Sequence, residues 1–244
     1  MKTLDFSGKT VLVTGATRGI GKAIAEAFEE NHATLILTGT QKNVIETLNS
    51  QFPDRAYLCV DFTDKTSRQS FLNTIEDMNI DICINCAGAN LIKHHLDCTE
   101  EEYDFIHDLN LKAPYLISQK VAAGMKKRGW GRIVNISSIW GSITKGERSL
   151  YSSSKTGLIG MSRSLAVDLA PDILVNSLSP GFTETELTAK SLSADEKNRL
   201  CSQVPLGRFA QPVEIAQTVL FLASEMNTYI TGQNLNIDGG FTIV

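Results

Sequence analysis

Residues 10–28 constrain the fold more than any other stretch. Thr10-Val11-Leu12-Val13-Thr14 is a β-branched run of strand length, and it passes directly into Gly15-Ala16-Thr17-Arg18-Gly19-Ile20-Gly21. The next segment, Lys22-Ala23-Ile24-Ala25-Glu26-Ala27-Phe28, is apolar at helical spacing. Strand, glycine-rich turn and helix in that order bring bare backbone N–H groups and a positive helix-dipole end to one point, which suits a phosphate. The glycines permit a tight turn and a close approach of backbone to a pyrophosphate. Their spacing is G-x-x-x-G-x-G rather than the commoner G-x-G-x-x-G, and a tight turn without a ligand would use the same residues.

Strand and helix signals alternate along the rest of the chain. Strands are predicted at Thr34–Thr38, Ala56–Val60, Ile80–Asn85, Arg132–Ile136, Ile173–Ser179 and Asn234–Ile237. Helices are predicted around Val44–Leu48 and at Lys65–Met78, Glu100–Met125, Tyr151–Leu169 and Val213–Ala223, with Pro114 bending or interrupting the longest. Residues 184–203 are polar and weakly amphipathic, as a segment covering a substrate would be. No repeat, low-complexity tract or linker divides the 244 residues. The economical reading is one α/β domain, a doubly wound parallel sheet with helices on both faces. Such sheets bind ligands beyond the carboxyl ends of their strands. The glycine turn, Asp61 with Phe62, the Asn85-Cys86-Ala87-Gly88 stretch, Ser138, and Pro180-Gly181 with Thr183 all fall there.

The stretch Gly131 to Lys155 adds a possible chemistry to that edge. Its strand delivers Ser137 and Ser138, and Tyr151 precedes Lys155 by four residues, so the last two share a face if a helix begins there. A phenol is a poor acid or base near neutrality, and a nearby ammonium moves it towards useful proton transfer. Ser138 can hold a substrate oxygen beside the phenol. A surface Tyr with a solvated Lys would show the same spacing; the company of the other strand-end residues favours the chemical reading.

Composition narrows the partners. A net charge of -4 gives no general reason to expect nucleic acid or a membrane surface, and no apolar run approaches the roughly 18 residues of a membrane span. The residues before Thr10 are too polar for a secretory signal, so a cytoplasmic location is expected. Cys59, Cys83, Cys86, Cys98 and Cys201 are an odd set, against a disulfide framework. Cys83 and Cys86 spell C-x-x-C within a buried-strand pattern, where positions three apart face opposite sides. His94-His95 lacks a convincing ligand set, and no metal is expected.

Taken together, Thr14-Gly15-x-x-x-Gly19-Ile20-Gly21, Asn85-x-Ala87-Gly88, Asn110, Ser138, Tyr151-x-x-x-Lys155 and Pro180-Gly181 resemble the short-chain dehydrogenase/reductase family, in its order and spacing over nearly the whole chain. Cys86 stands where the family usually has a second Asn. The resemblance implies a Rossmann-type fold and hydride transfer between a nicotinamide and a carbonyl or alcohol carbon. Tyr151 would exchange the proton and Ser138 would hold the substrate oxygen. Lys155 would lower the Tyr151 pKa and bind the nicotinamide ribose, and Asn110 would keep a water in a relay with Lys155. An Asn in Leu109-Asn110-Leu111 can equally well bond to backbone. Cofactor contacts are expected from residues 15–21 (Gly15, Ala16, Thr17, Arg18, Gly19, Ile20, Gly21), Thr40, Asp61, Phe62, Asn85, Ala87, Gly88, Tyr151, Lys155, Pro180, Gly181 and Thr183.

Within the family the chain resembles the β-ketoacyl-ACP reductases of fatty-acid synthesis. The likeness lies in the glycine turn, Met125-Lys126-Lys127-Arg128, residues 180–185, Val204 to Arg208, Tyr229 to Gln233 and the Asp238-Gly239-Gly240-Phe241 ending. Two features depart from it: Ala170-Pro171-Asp172 is short and acidic where a basic carrier-docking residue is common, and Lys145-Gly146-Glu147-Arg148 is unusually charged. A reductase or dehydrogenase of a sugar or polyol, or an inactive cofactor-binding protein, are the alternatives. NADPH is the expected cofactor. No Asp or Glu lies between Asn31 and Ile45 to bond a ribose 2′-OH, whereas Arg18, Thr40 and Lys42 can meet a 2′-phosphate. Lys126-Lys127-Arg128 with Arg132 is the candidate surface for an acidic carrier. By family likeness a homotetramer is expected, pairing the helices at Glu100–Met125 and Tyr151–Leu169, with the C-terminal strand in a second interface; the alternative is that apolar residues of those helices, including Leu158, Met161 and Leu165, are wholly internal core.

Overall fold

A computed structural model describes residues 4–186, 188 and 193–244. Its strands are β1 (Thr10–Val13), β2 (Thr34–Gly39), β3 (Arg55–Cys59), β4 (Ile82–Asn85), β5 (Gly131–Ile136), β6 (Ile173–Pro180) and β7 (Asn234–Ile237). They pair in parallel as one sheet in the order β3-β2-β1-β4-β5-β6-β7. Both faces are covered, and the alternation within a strand shows why. In β1, Val11 and Val13 enter one core while Leu12 enters the other, so an unbroken apolar run is what a doubly covered strand requires. Helices α1 (Gly19–Glu30), α2 (Lys42–Gln51) and α8 (Pro212–Ala223) line the first core through Ile24, Phe28, Ile45, Ile215 and Val219. Helices α3 (Lys65–Glu76), α5 (Ala113–Arg128) and α6 (Ser149–Leu169) line the second through Phe71, Ile75, Ile117, Val121 and Ala166.

The long helix expected over Glu100–Met125 is two helices with an irregular joint. α4 (Glu100–His107) opens with a Thr99/Glu102 capping box. A π-helical turn, Asp108–Lys112, then leads into α5. Pro114 sits in the first turn of α5, where its missing N–H costs little, so the break lies ahead of the proline. α5 ends at Gly129, whose φ of 69° makes the left-handed cap that a side chain would resist. In the expected covering stretch, α7 (Ala194–Cys201) is capped by Ser193 and Glu196, and Lys197 pairs with Glu184 at 2.6 Å. Residues 187 and 189–192 of that stretch lie outside the described residues.

The chain order reverses between β1 and β4, which are neighbours with β2 on one flank and β5 on the other. Crevices at such a switch point hold ligands in sheets of this class.

Candidate active site and dinucleotide turn

The site begins where β1 and β4 end together. The Thr14 hydroxyl accepts the N–H groups of Cys86 (2.9 Å) and Ala87 (3.0 Å), fastening the loop after β4 to the glycine turn. Gly15 has φ +67°, and a Cβ there would stand 2.8 Å from Ala87 Cα. A Cβ on Gly21 would lie 2.3 Å from the Gly15 carbonyl oxygen. Both positions need glycine for the turn to close, and the closed turn leaves a hollow of bare backbone of the kind a pyrophosphate fills. Thr38 of β2 braces it, its hydroxyl accepting the Gly15 N–H (3.1 Å) and its carbonyl the Ala16 N–H (2.9 Å). Ala16 is buried and Ile20 packs on the core, while Arg18 is exposed at the N-cap of α1 and makes no capping bond.

Gly39, the last residue of β2, has no room for a side chain. A Cβ at Gly39 would come 2.4 Å from Thr17 Cγ2. Thr40 and Gln41 are exposed, and Lys42 makes only a 3.9 Å contact with Glu46. Arg18, Thr40 and Lys42 are therefore the polar groups that a ligand on this side can recruit.

Several expected contact residues use their side chains inside the protein. Asp61 accepts from Thr63 Oγ1 (2.7 Å) and the Thr63 N–H (2.9 Å), bonds that hold its carboxyl below the usual range. Phe62 is buried edge-on against Phe71, with ring centroids 5.3 Å apart. Its side chain belongs to the second core, three residues past the end of β3. Asn85 donates to Asn135 Oδ1 (2.7 Å) and Ser118 Oγ (3.1 Å) in a buried polar chain, so only its backbone remains for a ligand. The Thr183 hydroxyl donates to the Gly181 carbonyl (3.1 Å). Gly181 follows Pro180 at the end of β6, and a Cβ there would stand 2.7 Å from Asp238 Cα.

Ser138, Tyr151 and Lys155 do come together. Ser138 follows β5 and caps a short helical turn through the Trp140 N–H (3.2 Å), and its hydroxyl lies close enough to act on the Tyr151 phenol. Ser137 points elsewhere: its hydroxyl donates to the Lys155 carbonyl (3.0 Å) and stitches β5 to α6. Lys155 is buried, its Nζ 5.7 Å from the Tyr151 ring centre and donating to the Ile136 carbonyl (2.9 Å). Burial pulls its pKa down to about 8. Burial pushes the Tyr151 phenol up, opposed by the neighbouring Ser138 hydroxyl and the Arg148 charge. Desolvation dominates at the phenol, and the Lys155 ammonium is held by the Ile136 carbonyl.

Asn110 lies in the π turn and is fully buried. Its side chain accepts the Ala89 N–H (2.9 Å) and donates to the Ala89 carbonyl (2.9 Å) and Ser154 Oγ (3.1 Å). Both amide N–H groups are used and Oδ1 keeps one lone pair, and Gly88 beside it leaves space for both groups: a Cβ would meet Asn110 Oδ1 at 3.1 Å and Lys155 Nζ at 3.3 Å.

Cys83 and Cys86 diverge, Cys83 into the second core and Cys86 against the first. Burial pushes both thiols up to about 12, so neither forms a reactive thiolate near neutrality.

The family described as Enoyl-(Acyl carrier protein) reductase matches residues 15–242. The chain is 39% identical to the 3-oxoacyl-[acyl-carrier-protein] reductase of Aquifex aeolicus over 247 residues, covering 97% of this chain and 98% of that one. It is 38% identical to the Escherichia coli protein of the same name over 245 residues, covering 99% and 100%. The chain belongs to the short-chain dehydrogenase/reductase family. Among solved family structures, one similar to it is a gluconate 5-dehydrogenase from Burkholderia cenocepacia in complex with NADP and tartrate. That match has 28% identity and a TM-score of 0.91, over 99% of this chain and 98% of that one. Another is a short-chain type dehydrogenase/reductase from Mycobacterium marinum, with 32% identity and a TM-score of 0.89 over 99% and 98%.

Three contributors to this family site carry little or no signal in the sequence. The double-acceptor role of Thr14 needs the β1–β4 pairing, which is remote in sequence. Arg68 is buried, donates to the Phe62 carbonyl and meets Asp108 of the π turn at 3.5 Å, yet it reads as an ordinary helical Arg. Arg148 is also buried, although its charged loop is visible in the sequence.

Proposed function

We propose that the chain catalyses NADPH-dependent reduction of the 3-oxo group of an acyl thioester borne by acyl carrier protein. The observation that carries this reading is the meeting of Ser138, Tyr151 and Lys155 beside a glycine-lined dinucleotide turn. Similarity along the full chain to reductases named for this reaction supplies the substrate. When bound, NADPH supplies hydride to the carbonyl carbon. Ser138 orients the carbonyl oxygen, and Tyr151, kept protonated by its raised pKa, donates the proton to that oxygen. Lys155 binds the ribose hydroxyls and supplies positive charge near the phenol, while Asn110 holds the Ala89 loop against that ammonium. Arg18, Thr40 and Lys42 take the 2′-phosphate, and residues 184–203 cover the substrate.

The test is NADPH oxidation with acetoacetyl-ACP and acetoacetyl-CoA beside a set of keto-sugars. Turnover of the carrier-bound thioester is expected; inert thioesters with an active keto-sugar would assign the polar substrate instead. A gluconate 5-dehydrogenase among the similar structures and the cationic Lys145–Arg148 loop favour that second reading.

The expected carrier-docking cluster does not support docking at that place. Lys126 pairs with Asp172 at 3.3 Å and donates to the Ala170 carbonyl, and Arg128 meets Asp81 at 3.3 Å. Arg132 is buried and donates to the Asn227 carbonyl (3.1 Å). These residues lie at the start of β5, the opposite sheet edge from Ser138.

The assembly we infer is a cytoplasmic homotetramer. Leu158 is buried in the protomer, but Phe105, Tyr115 and Val167 are exposed on α4, α5 and α6. A groove lined by Tyr115, Gln119, Ala122, Ala123, Leu165 and Leu169 runs between α5 and α6. Ile243 and Val244, exposed at the carboxyl end, provide a second apolar surface.

A further inference from the structure

The mouth of the site is cationic on one side and aromatic on the other. Trp140, Phe182 and Phe241 follow β5, β6 and β7, and their rings meet edge to face at centroid separations of 6.4, 6.2 and 5.1 Å. Phe209 stacks on Phe182 at 5.1 Å. Two cations share the Trp140 ring, Lys145 Nζ at 5.3 Å and Arg148 Cζ at 5.8 Å from its centre. Arg199 of α7 lies close enough for its charge to act on Lys145.

Arg148 is the unusual member. It is only 9% exposed, and among the described residues its one side-chain hydrogen bond runs from Nη1 to Asn90 Oδ1 at 3.3 Å, leaving a buried Nε without a partner there. No ion pair forms to Arg148, Lys145 or the intervening Glu147 among the described residues. The residues outside the description, 1–3, 187 and 189–192, include no Asp or Glu. A buried guanidinium without a carboxylate is costly to maintain for structure alone. It stands three residues before Tyr151, one helical turn away, and its charge acts on the phenol.

We propose that Arg148 is a specificity-determining residue that takes a carboxylate carried by the substrate a few atoms from the ketone being reduced, with Lys145 closing over it from the Trp140 side. A planar guanidinium with Nε and an Nη free forms the two parallel bonds that suit a carboxylate. The inference rests on the reading of this chain as a ketone reductase and narrows the substrate to an acidic one. The carboxylate belongs either to an acyl thioester whose far end is acidic or to a free keto acid. Both sources offer Arg148 the same group.

The experiment uses the full chain with NADPH and two matched pairs. One is the N-acetylcysteamine thioester of 3-oxoadipate against its terminal methyl ester; the other is 4-oxopentanoate against its amide. Turnover is measured for each, and binding to the NADP-loaded protein is followed through the fluorescence of Trp140, with Trp130 as the second emitter. The acid of at least one pair should be favoured over its neutral partner by about tenfold to a hundredfold, the value of a charge-assisted hydrogen bond. Arg148→Gln should collapse that ratio towards one, and Arg148→Lys should restore part of it. The ratio is the readout because both members of a pair use the same Tyr151 chemistry, so a change in the phenol cancels. Preference within the thioester pair identifies the acyl source, and preference within the second pair the free acid. Equal binding of acid and neutral partner in both pairs, or a preference that survives Arg148→Gln, overturns the proposal. The ketone-reductase reading fails separately, if no ketone, acetoacetyl-ACP included, oxidises NADPH. An Arg148-dependent acid preference in binding would still support the anion site.

Discussion

Tyr151 and Lys155 sit four residues apart on α6, yet their environments move their pKa values in a way that spacing alone does not set. Tyr151→Phe removes the proton donor and nothing else from the Ser138–Lys155 neighbourhood. Its kcat should fall about 10²–10⁴-fold, with NADPH affinity retained in a fluorescence titration. With its phenol raised, the parent protein should reduce ketones at a rate nearly level from pH 6 to 8, while oxidation of the product alcohol rises with pH across that range. For Lys155 the folded pKa is depressed, from 10.5 to about 8. The unfolded chain then holds more protons between about pH 8 and 10.5, so stability rises with pH through that window, and the charge burial is a full cost below it. Lys155→Met should be more stable than the parent at pH 7 by on the order of 2 kcal/mol, the desolvation relieved less the lost Ile136 bond. In urea titrations at pH 7 and pH 10 the difference should shrink at the higher pH. A constant difference would show that Lys155 is not the titrating group.

At the level of elements, the joint between α4 and α5 holds Asn110 where an unbroken helix would turn it away. π-helical turns of this kind are frequent at functional sites. Asn110→Ala deletes all three of its side-chain bonds and leaves Ala89 polar groups unpaired. It should cost roughly 2–4 kcal/mol of stability in denaturant titrations, with kcat falling more than NADPH affinity. The sequence showed a proline and an interrupted helix, but periodicity has no marker for a π turn, whose extra residue is fixed by contacts with Ala89 and Ser154. The strand-end rule worked better. It pointed to the glycine turn and Ser138, while the four-residue spacing put Tyr151 and Lys155 together on α6, because each is set by local order along the chain. It does not give the side-chain directions of Phe62 and Asn85, which enter a core and a buried polar chain through packing against residues remote in sequence. The glycine turn also carries Arg18, the proposed 2′-phosphate contact. Arg18→Ala should reduce the preference for NADPH over NADH in kcat/KM by about tenfold or more, the value of a charge-assisted phosphate contact. An unchanged ratio would remove Arg18 from the 2′-phosphate site.

Across the whole molecule, charge and apolar surface are distributed by sheet edge. The carboxyl edge carries the cationic Lys145, Arg148 and Arg199 with the aromatic wall, while the amino edge carries Lys126 and Arg128 already paired with Asp172 and Asp81. Reversing charge at the exposed Lys127 should leave the KM for acetoacetyl-ACP within about twofold, as expected for a solvated charge far from the site. A selective rise in that KM over the acetoacetyl-CoA value would return docking to the amino edge. The same distribution leaves Tyr115 and Val167 as apolar features on the outer face of α5 and α6. Tyr115→Glu together with Val167→Glu should shift light scattering from the inferred tetramer towards smaller species at micromolar concentration. In sequence, the basic run Lys126-Lys127-Arg128 looked like a docking patch because its acidic partners lie 46 to 47 residues away.

The Ser137 bond to the Lys155 carbonyl and the Lys155 bond to the Ile136 carbonyl close a ring of covalent and hydrogen-bonded links between β5 and α6. A loop of that kind cannot open at one bond without straining the other, and both strand and helix are buried on the sides that carry it. Amide protons at Ile136 and around Lys155 should therefore exchange with solvent deuterium only when the whole protein unfolds. Heat inactivation would then have no early phase in which the fold survives and this pair of elements has already separated.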